Sequence, residues 1–479
     1  MKMPIPRPKK FCSSGNYVPA IFTATDFDPR FEPAVRVFRR YAFKAFGEVN
    51  PEGGLLLNVE DSLGNGYRIS VGNEIVLSAA NNTGMNYAFA TLLQLVEERE
   101  GVLCLPCCEI EDCPDNGWRG LMLDLARCYH EAEYLFAVAD LCWLYKINRY
   151  QLHLTDDQGI RFPFSQFPDA VSEEHYSEKE LKELVRYCRD RGIVIVPEIE
   201  TPGHARAFNK TYPQFFGTAP KTSDAETTAQ AGVISGIMRA DDVTFDVLNK
   251  MFKEVADLFS DSPWIHIGGD EADIKKWDEC PVSVAYREAH GLKNIHELYG
   301  HYVARLSQMI LDLGRTPVVW EGFAEECNHM IPKETLVIAW ESYYQLAPQL
   351  LKGGFDIINV AWMPLYIVPH RKMWDPEVIL DWEKNVWTHW WEKSVASVTP
   401  VEVPKDSPIL GGQMCVWGDA MSPKNAFAPR HDMIREEFGD LRLRLPALAE
   451  KVWSSYNNPD KDAFKADFAH HDRLLSKIL

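Results

Sequence analysis

Asp270 and Glu271 are adjacent carboxylates that follow an apolar run, 264–267, typical of a buried strand. Neighbouring residues at the tip of a strand point in different directions, so the two side chains can act on one substrate in two separate roles. Acid/base hydrolysis of sugars needs such a pair, with one group to protonate the leaving oxygen and one to stabilise charge. This spacing therefore indicates hydrolytic chemistry at a strand end.

The segment HIGGDE at 266–271 also has a purely structural interpretation. Gly268 and Gly269 remove side chains where a ligand would have to approach the backbone. The alternative makes Asp270 the N-cap of a helix after a strand-to-helix turn, because Asp is favoured there for its acceptor oxygen. Both interpretations stay open on these six residues alone.

Eight apolar runs, each followed by a helical stretch, occupy the chain from residue 114 onward. Near-continuous apolar runs are expected for parallel strands that are covered on both faces. Eight strand–helix units predict an α/β fold, a TIM-type (β/α)8 barrel. The runs are 120–125, 150–155, 193–199, 264–268, 316–320, 336–340, 355–361 and 412–417.

Helical patterns separate these runs. A capping box at Ser177 and Glu180 predicts a helix that runs to Arg191 and stops at Gly192. Apolar residues keep helical spacing over 245–258 and 298–310, ahead of the fourth and fifth strands.

The first 113 residues have a different pattern. Runs 67–71 and 74–78 predict paired strands around a Gly72-Asn73 turn, and a helix is expected over 84–97. We therefore predict two domains, a small N-terminal α/β domain over 1–113 and the barrel over 114–479.

Composition excludes some partners and favours one compartment. The net charge of −19 disfavours nucleic acid and anionic membranes, and no apolar run reaches the length of a spanning helix. No signal-peptide pattern opens the chain, so the 11 cysteines are expected to be reduced thiols and the protein cytoplasmic. Part of the cysteine cluster resembles half of a zinc-binding motif, but no second half lies at a suitable distance. The cluster consists of Cys104, Cys107, Cys108 and Cys113.

Polar and aromatic residues follow the predicted strands, at the end of the barrel where active sites lie. Carboxylates and histidines dominate the first four ends and aromatic residues the last four, which predicts a pocket with a polar side and an apolar side. The residues are Asp124, Arg127, His153, Asp156, Asp157, Glu198, Glu200, His204, His266, Asp270, Glu271, Trp320, Glu321, Trp340, Glu341, Trp362, Tyr366, Trp417 and Asp419.

Four ordered segments resemble those of the β-N-acetylhexosaminidases of glycoside hydrolase family 20. They are RGLMLDLAR at 119–127, LHLTDDQG at 152–159, PEIETPGH at 197–204 and HIGGDE at 266–271. WGD at 417–419 and RLPALAEKVW at 444–453 look like closing segments of the same family. The resemblance covers about 116–455, and the first domain looks like the small α/β domain that precedes the barrel in that family.

The resemblance implies a retaining exo-hydrolase that releases terminal β-linked N-acetylhexosamine by substrate assistance, an exception to the usual two-carboxylate rule. The 2-acetamido oxygen of the sugar attacks the anomeric carbon and gives an oxazolinium intermediate. Asp270 is implied to hold the acetamido N–H, Glu271 to act as general acid and base, and Tyr366 to donate to the acetamido oxygen. No cofactor and no metal ion are implied.

The resemblance also implies substrate-binding residues. Arg127 grips the outer hydroxyls, although an ion pair with Asp124 is its plain alternative. Asp156 and His204 form a supporting pair that could keep Glu271 partly protonated, while Asp157 is the alternative to Asp156. The walls of the acetamido pocket, which could equally be core residues, are Trp320, Trp340 and Trp417.

Departures from the family pattern concern the rim. Asp419 stands where the family usually has a glutamate for the outer hydroxyls, Ile160 replaces a common tryptophan, and Glu321 alters the segment after Trp320. We therefore expect an altered preference at the outer hydroxyls or the leaving group.

Two rival hypotheses belong to other classes. A metal-dependent barrel hydrolase would use His153, His204 and the carboxylates as ligands, although these histidines lack close spacing. The second hypothesis is a sugar-binding barrel that keeps the pocket but does not hydrolyse the sugar. The expected partner is an oligosaccharide or glycoconjugate with a terminal N-acetylhexosamine, and the sequence does not indicate an oligomeric state.

Overall fold

A computed structural model describes residues 2–24, 26–47, 54–218 and 236–479 of the chain. The N-terminal part forms a mixed six-stranded sheet covered by the helices Glu32–Phe46 and Asn82–Gln94. The predicted hairpin is confirmed, with Val71 opposite Ile75 in antiparallel register. Its strands are Lys10–Pro19, Leu55–Val59, Tyr67–Val71, Ile75–Ala79, Glu97–Arg99 and Val102–Asp112.

Eight parallel strands form the closed barrel that the apolar runs predict. They follow one another around the ring in chain order, and the eighth strand pairs with both the seventh and the first. The strands, called first to eighth below, are Trp118–Asp124, Arg149–His153, Val194–Thr201, Trp264–Gly268, Thr316–Trp320, Leu336–Ala339, Ile357–Asn359 and Ile409–Val416.

The helices around the barrel begin and end where local signals indicate. The helix Glu178–Asp190 starts at the predicted capping box, in which Ser177 and Glu180 bond to each other's backbone N–H groups. It stops at Gly192, whose φ of 72° only glycine adopts without strain. The longer helices are Ala132–Leu144, Glu178–Asp190, Asp242–Leu258, Pro281–Ala289, Ile295–Asp312, Arg430–Trp453 and Lys461–Ile478.

Shorter elements complete the chain around the strand ends. The two-residue strand Tyr366–Ile367 lies beside the eighth strand. The other short strands form two pairs, Thr155–Asp156 with Gly159–Ile160 and Val386–Trp387 with Val401–Glu402. Short helical segments are Arg206–Thr211, Pro213–Phe216, Ala347–Lys352, Trp362–Leu365 and Pro376–Ile379, and 3-10 turns are Pro29–Phe31, Asp61–Leu63, Pro168–Ala170, Ile274–Trp277, Glu325–Cys327 and Val395–Ser397.

Buried polar contacts join the N-terminal sheet and its helices to the barrel. The Arg191 guanidinium donates to the Tyr41 hydroxyl at 2.7 Å and lies 3.1 Å from Asp140. The indole N–H of Trp453 donates to Asp112 at 3.0 Å. These contacts hold the sheet against the outer helices, away from the strand ends that carry the site.

The eleven cysteines all lie in described parts of the chain, and all have free thiols. Cys107 and Cys108 are neighbours on the strand Val102–Asp112, so their side chains point to opposite faces of the sheet. Within the described ranges, none of the helices is both long and apolar enough to cross a membrane.

Candidate active site

Asp270 and Glu271 line one cavity of about 240 Å³ at the C-terminal end of the barrel. Asp270 is buried, whereas the Glu271 side chain is 53% exposed and faces the mouth. The N-cap interpretation of Asp270 is wrong, because the next helical turn, Ile274–Trp277, begins only after Asp273. The two carboxylates therefore meet at one point, as the strand-end pattern predicts.

Gly268 and Gly269, the glycines before this pair, are required by packing within the protein and not by the predicted approach of a ligand. A Cβ at Gly268 would lie 2.3 Å from Glu200 Oε2, and one at Gly269 would lie 2.5 Å from Val319 Cγ2. Both residues also have positive φ, 78° and 101°. The protein's own side chains, and not a ligand, occupy the space at these two positions.

His204 links the acid pair to Asp156. Its Nδ1 lies 3.2 Å from Asp156 Oδ1, and its Nε2 lies 3.4 Å from Glu271 Oε2 and 3.7 Å from Asp270 Oδ2. Burial opposes the imidazolium, but the charges of Asp156 and Asp270 outweigh it and raise the pKa of His204 well above its usual value. His204 is therefore a cation that three carboxylates surround.

The net pKa shift of Glu271 runs against the expectation that His204 and Asp156 keep it partly protonated, although the charge of Asp156 does raise this pKa. The hydrogen bond from His204 is the largest influence on Glu271, and it lowers the pKa of that carboxyl despite partial burial. Burial and the charge of Glu271 raise the pKa of Asp270, whereas His204 lowers it.

Arg127 makes the ion pair with Asp124 that is its plain alternative role. It pairs with Asp124 at 3.0 Å and with Asp156 at 2.9 Å, and its guanidinium lies 4.9 Å above the ring of Trp417. It also lines the cavity. The ion pairs therefore fix a guanidinium that still presents donors to a ligand.

Asp156, and not Asp157, belongs to this network. Arg127 and His204 counter the effect of burial and lower the pKa of Asp156 well below its usual value. Asp157 instead accepts a hydrogen bond from the backbone N–H of Arg206 at 2.9 Å.

A layer of buried charge lies beneath the cavity. His153 is placed between Asp156, at 3.0 Å, and Glu198, at 3.1 Å. Burial opposes its charge, but these carboxylates raise the pKa of His153 to about 10. Burial lowers the pKa of His266 to about 4, and its Nδ1 accepts the N–H of Gly268 at 3.1 Å.

Glu200 has only a distant charge partner, because its Oε1 lies 3.8 Å from His153 Nδ1. It is fully buried, and neither carboxyl oxygen has a hydrogen-bond partner among the described residues. Burial and the charges of Asp270 and Glu198 raise the pKa of Glu200 well above its usual value, which favours the neutral form of this carboxyl.

Potential metal ligands lie within 4.8 Å of one another in three groups. Two of the three groups contain His204, and the third contains His153, so each includes an imidazole held as a cation by its carboxylates. A metal ligand must be a neutral imidazole, so metal binding would have to displace these protons. The groups are His153 with Glu198 and Glu200, Asp156 with Asp157 and His204, and His204 with Asp270 and Glu271.

Aromatic residues form the opposite wall of the cavity. Trp320 and Trp417 have ring centroids 6.0 Å apart, and Trp340 stacks parallel to Tyr366 at 6.4 Å. These four residues and Trp362 contact one another around one edge of the cavity, so they are not scattered through the core.

Two buried polar atoms face this wall without a partner. No hydrogen bond of good geometry reaches Asp270 Oδ1 or the Tyr366 hydroxyl among the described residues, although Glu200 lies beside Asp270, Trp417 lies beside Tyr366, and both residues line the cavity. A buried polar group left unpaired costs about 1–3 kcal/mol, so a ligand that pairs with both is favoured. The arrangement offers one acceptor and one donor beside an apolar surface.

The sequence interpretation missed four lining residues, Val368, Arg371, Lys372 and Trp390. They lie in the irregular segments after the seventh strand, where no periodic pattern assigns a side chain to a face. The only signal in the sequence was that residues 368–372 follow Tyr366 within a few positions.

Glu321 anchors the loop after the sixth strand. Its two carboxylate oxygens accept the six backbone N–H groups of residues 340–345, at 3.0–3.3 Å. Trp340 also donates its indole N–H to the Glu321 carbonyl at 3.0 Å. Glu321, the residue after the fifth strand, therefore positions Trp340 in the cavity wall.

Replacing Glu321 with glutamine is expected to destabilise the protein. The amide NH2 group points at backbone donors, and each buried N–H left without an acceptor costs about 1–3 kcal/mol. Urea unfolding should therefore show a clearly lower midpoint for Glu321→Gln, while the control Glu325→Gln, at a half-exposed position, keeps the wild-type midpoint. Equal midpoints for both variants would contradict this role.

Comparisons with known proteins agree with this geometry. The pattern described as "Glycosyl hydrolase family 20, catalytic domain" matches residues 117–456, and "Glycosyl hydrolase family 20, domain 2" matches 44–113. The chain is 33% identical to a beta-hexosaminidase of Akkermansia muciniphila over 62% of its length, and 30% identical to one of Vibrio furnissii over 76%. These alignments span 63% of each relative, so the chain covers less than two thirds of both.

Solved structures share the fold at low identity. A GH20 exo beta-N-acetylglucosaminidase from Vibrio harveyi superposes with a TM-score of 0.81 at 22% identity, covering 100% of this chain and 78% of that one. A Flavobacterium johnsoniae chitobiase gives 0.79 at 24% identity, covering 99% and 72%. Because the family pattern matches most of the chain and the fold agrees, this protein belongs to glycosyl hydrolase family 20.

Proposed function

We propose that the protein is a retaining exo-β-N-acetylhexosaminidase that removes terminal β-linked N-acetylglucosamine or N-acetylgalactosamine from glycans. The observation that carries this proposal is the unpaired Asp270 Oδ1 and Tyr366 hydroxyl beside an aromatic wall. An acetamido group complements this arrangement, because its N–H can donate to Asp270, its carbonyl can accept from Tyr366, and its methyl is apolar. The relatives named beta-hexosaminidases support the same substrate class.

The proposed first step forms a bond inside the substrate. The acetamido carbonyl oxygen attacks the anomeric carbon, the glycosidic C–O bond breaks, and its electron pair leaves with the oxygen that Glu271 protonates. Asp270 stabilises the positive charge of the resulting oxazolinium from a buried position, where electrostatic interactions are strong. Tyr366 holds the attacking oxygen toward the anomeric carbon.

The second step returns Glu271 to its acid form. Glu271 takes a proton from water, whose oxygen adds to the anomeric carbon while the oxazolinium ring opens. Two displacements at one carbon give net retention of configuration. His204 and Asp156 steer Glu271, Arg127 and Asp419 bind the outer hydroxyls, and the acetamido walls are Trp320, Trp340 and Trp417.

Hydrolysis of three nitrophenyl glycosides tests this function. Turnover of the N-acetylglucosaminide and N-acetylgalactosaminide, with almost none of the plain glucoside, is expected. Comparable turnover of the plain glucoside would contradict the role of the amide. Binding without turnover would identify a sugar-binding barrel, and loss of turnover on chelation would identify the metal-dependent alternative.

The pH profile should depend on His204. Because His204 lowers the pKa of both Glu271 and Asp270, His204→Asn is expected to shift both limbs of the kcat/KM profile to higher pH. Asn suits this position, since it tolerates the φ of 48°. The exposed control variant His175→Asn should keep the wild-type profile, and an unshifted or acid-shifted profile for His204→Asn would refute this role.

Asp419 is proposed to alter the preference at the outer hydroxyls. Its side chain is one methylene shorter than the usual glutamate, so Asp419→Glu should change the ratio of kcat/KM for the gluco and galacto substrates. Equal ratios in wild type and variant would remove this proposal.

Domain limits and compartment are proposals as well. We place the domain boundary between residues 113 and 114, because the strand Val102–Asp112 ends the first sheet and Trp118–Asp124 begins the barrel.

We propose a cytoplasmic location, supported by eleven free thiols. Limited proteolysis tests the boundary, and cell fractionation tests the location.

A further inference from the structure

A series of buried side-chain hydrogen bonds crosses the inside of the barrel and ends at Trp320. The indole N–H of Trp118 donates to Gln413 Oε1 at 3.0 Å, and Gln413 Nε2 donates to Gln151 Oε1 at 2.8 Å. Gln151 Nε2 donates to Glu198 Oε2 at 2.8 Å, and the indole N–H of Trp320 donates to Glu198 Oε1 at 2.6 Å. Donors from both ends of the series therefore meet at the Glu198 carboxylate.

The members of this hydrogen-bond series come from strands that are not all neighbours. Gln151 lies on the second strand and Glu198 on the third, but Trp320 ends the fifth strand, so the bond between Glu198 and Trp320 spans the interior of the ring. Each of the five residues has at most 1% of its surface exposed. Hydrogen bonds in such a buried place are stronger than at the surface, so the series fixes the Glu198 carboxylate.

Both oxygens of Glu198 face N–H groups. Oε2 accepts the hydrogen bond from Gln151 and also lies 3.1 Å from His153 Nδ1, and the other ring nitrogen of His153 pairs with Asp156 at 3.0 Å. Oε1 accepts the hydrogen bond from Trp320. A carboxylate accepts at both oxygens, whereas an amide of the same shape has one acceptor and one donor. This position therefore requires an acid.

Trp320 connects the hydrogen-bond series to the cavity. Its ring lines the cavity, with centroids 6.4 Å from that of Trp340 and 6.0 Å from that of Trp417. An indole has a single N–H donor, and Glu198 accepts it. The Trp320 ring therefore cannot turn or slide within the wall without breaking this bond.

We propose that Glu198 is a positioning residue for the acetamido pocket, because its carboxylate holds Trp320 where the ring fits the methyl group of an N-acetyl arm and excludes longer acyl arms. The inference rests on the proposed function and identifies what limits the size of the acyl group. Glu198 is fully buried, acts through the Trp320 indole and takes no part in bond breaking.

Glu198→Gln tests this role without a change of side-chain shape. The amide oxygen is expected on the side of Gln151 and His153, so the NH2 group faces the Trp320 N–H and the two donors repel each other. We would measure kcat/KM for the nitrophenyl glycosides of N-acetylglucosamine and N-propionylglucosamine. The variant should lose about 10- to 100-fold on the N-acetyl substrate, and the propionyl-to-acetyl ratio should rise by about threefold or more. The exposed control Glu334→Gln should keep both wild-type values.

A double-variant cycle distinguishes positioning from a general loss of stability. Trp320→Phe removes the indole donor, so adding Glu198→Gln to it should change the ratio by less than about twofold. Glu198→Asp keeps both acceptors but is one methylene shorter, so its oxygen no longer reaches Trp320 and the ratio should rise again. This second variant tests the role even if Glu198→Gln does not fold.

The outcomes separate the two proposals. An unchanged ratio in Glu198→Asp, or an equal change on adding Glu198→Gln with and without the indole, would overturn the positioning role. A lower unfolding temperature with an unchanged ratio would do the same, since it would identify a purely structural residue. The absence of wild-type turnover on every N-acetylhexosaminide would instead overturn the proposed function.

Discussion

Replacing Glu271 with glutamine is expected to lower kcat on substrates with sugar leaving groups by about 10²- to 10⁴-fold. The amide cannot donate the proton that the leaving oxygen needs. The loss should be much smaller in the first step with nitrophenolate, which departs without a proton. Because Glu271 is half exposed and not part of the packed core, the variant should fold, and its unfolding temperature should fall only slightly through the loss of the contact with His204.

The comparison of leaving groups makes this expectation specific. A variant damaged only in folding or binding would lose activity equally on both substrate types. Equal losses of kcat/KM, which reports the first step and not the later attack of water, for Glu271→Gln on a disaccharide and on the nitrophenyl glycoside would therefore contradict its role as the general acid.

Replacing Asp270 with asparagine is expected to lower kcat by about 10²- to 10³-fold, whatever the leaving group. The carboxylate is buried beside the cavity, and in the proposed mechanism it stabilises charge on the acetamido nitrogen, so its removal should affect the formation of the intermediate itself. Asp273→Asn is the matched control, since this exposed carboxylate lies three residues along the same segment.

Single-turnover kinetics would check the role of Asp270. Full activity of Asp270→Asn would refute it, whereas Asp273→Asn should be indistinguishable from wild type. The fold should survive the change, because burial already disfavours the charge of Asp270 and a neutral amide relieves that cost.

Much of the barrel could be predicted because strong local signals coincide with tertiary roles. The runs 264–268 and 316–320 match the fourth and fifth strands residue for residue, since a strand covered on both faces is largely apolar. The seventh strand, predicted over 355–361, is only Ile357–Asn359. There the apolar residues continue beyond the strand into the cavity wall, so hydrophobicity does not mark its end.

The site was predictable where side chains follow strands and unpredictable where backbone geometry decides. Trp320 is the last residue of the fifth strand, and Asp270 follows the end of the fourth strand by two residues. The barrel brings residues at such positions together. The direction of the pKa shift of Glu271 could not be read from the sequence, because it depends on a His204 nitrogen 3.4 Å away. Arg371 and Lys372 reach the cavity only through a turn whose anchor, Glu436, is distant in sequence.

Why residue 268 has to be a glycine could also not be predicted correctly from the sequence. Sequence reasoning assigned the missing side chain to ligand access, whereas Glu200 from the neighbouring strand fills the space. A glycine signals that something approaches its backbone, but only the packed structure identifies the neighbour.

The attack of the substrate's own acetamido oxygen is the central claim, and a series of N-acyl substrates tests it most directly. Nitrophenyl glycosides with acetyl, fluoroacetyl, difluoroacetyl and trifluoroacetyl groups differ in the nucleophilicity of that oxygen while the leaving group stays constant. We expect kcat/KM to fall steeply with each added fluorine. A flat series would show that another nucleophile attacks the anomeric carbon and would contradict the proposed mechanism.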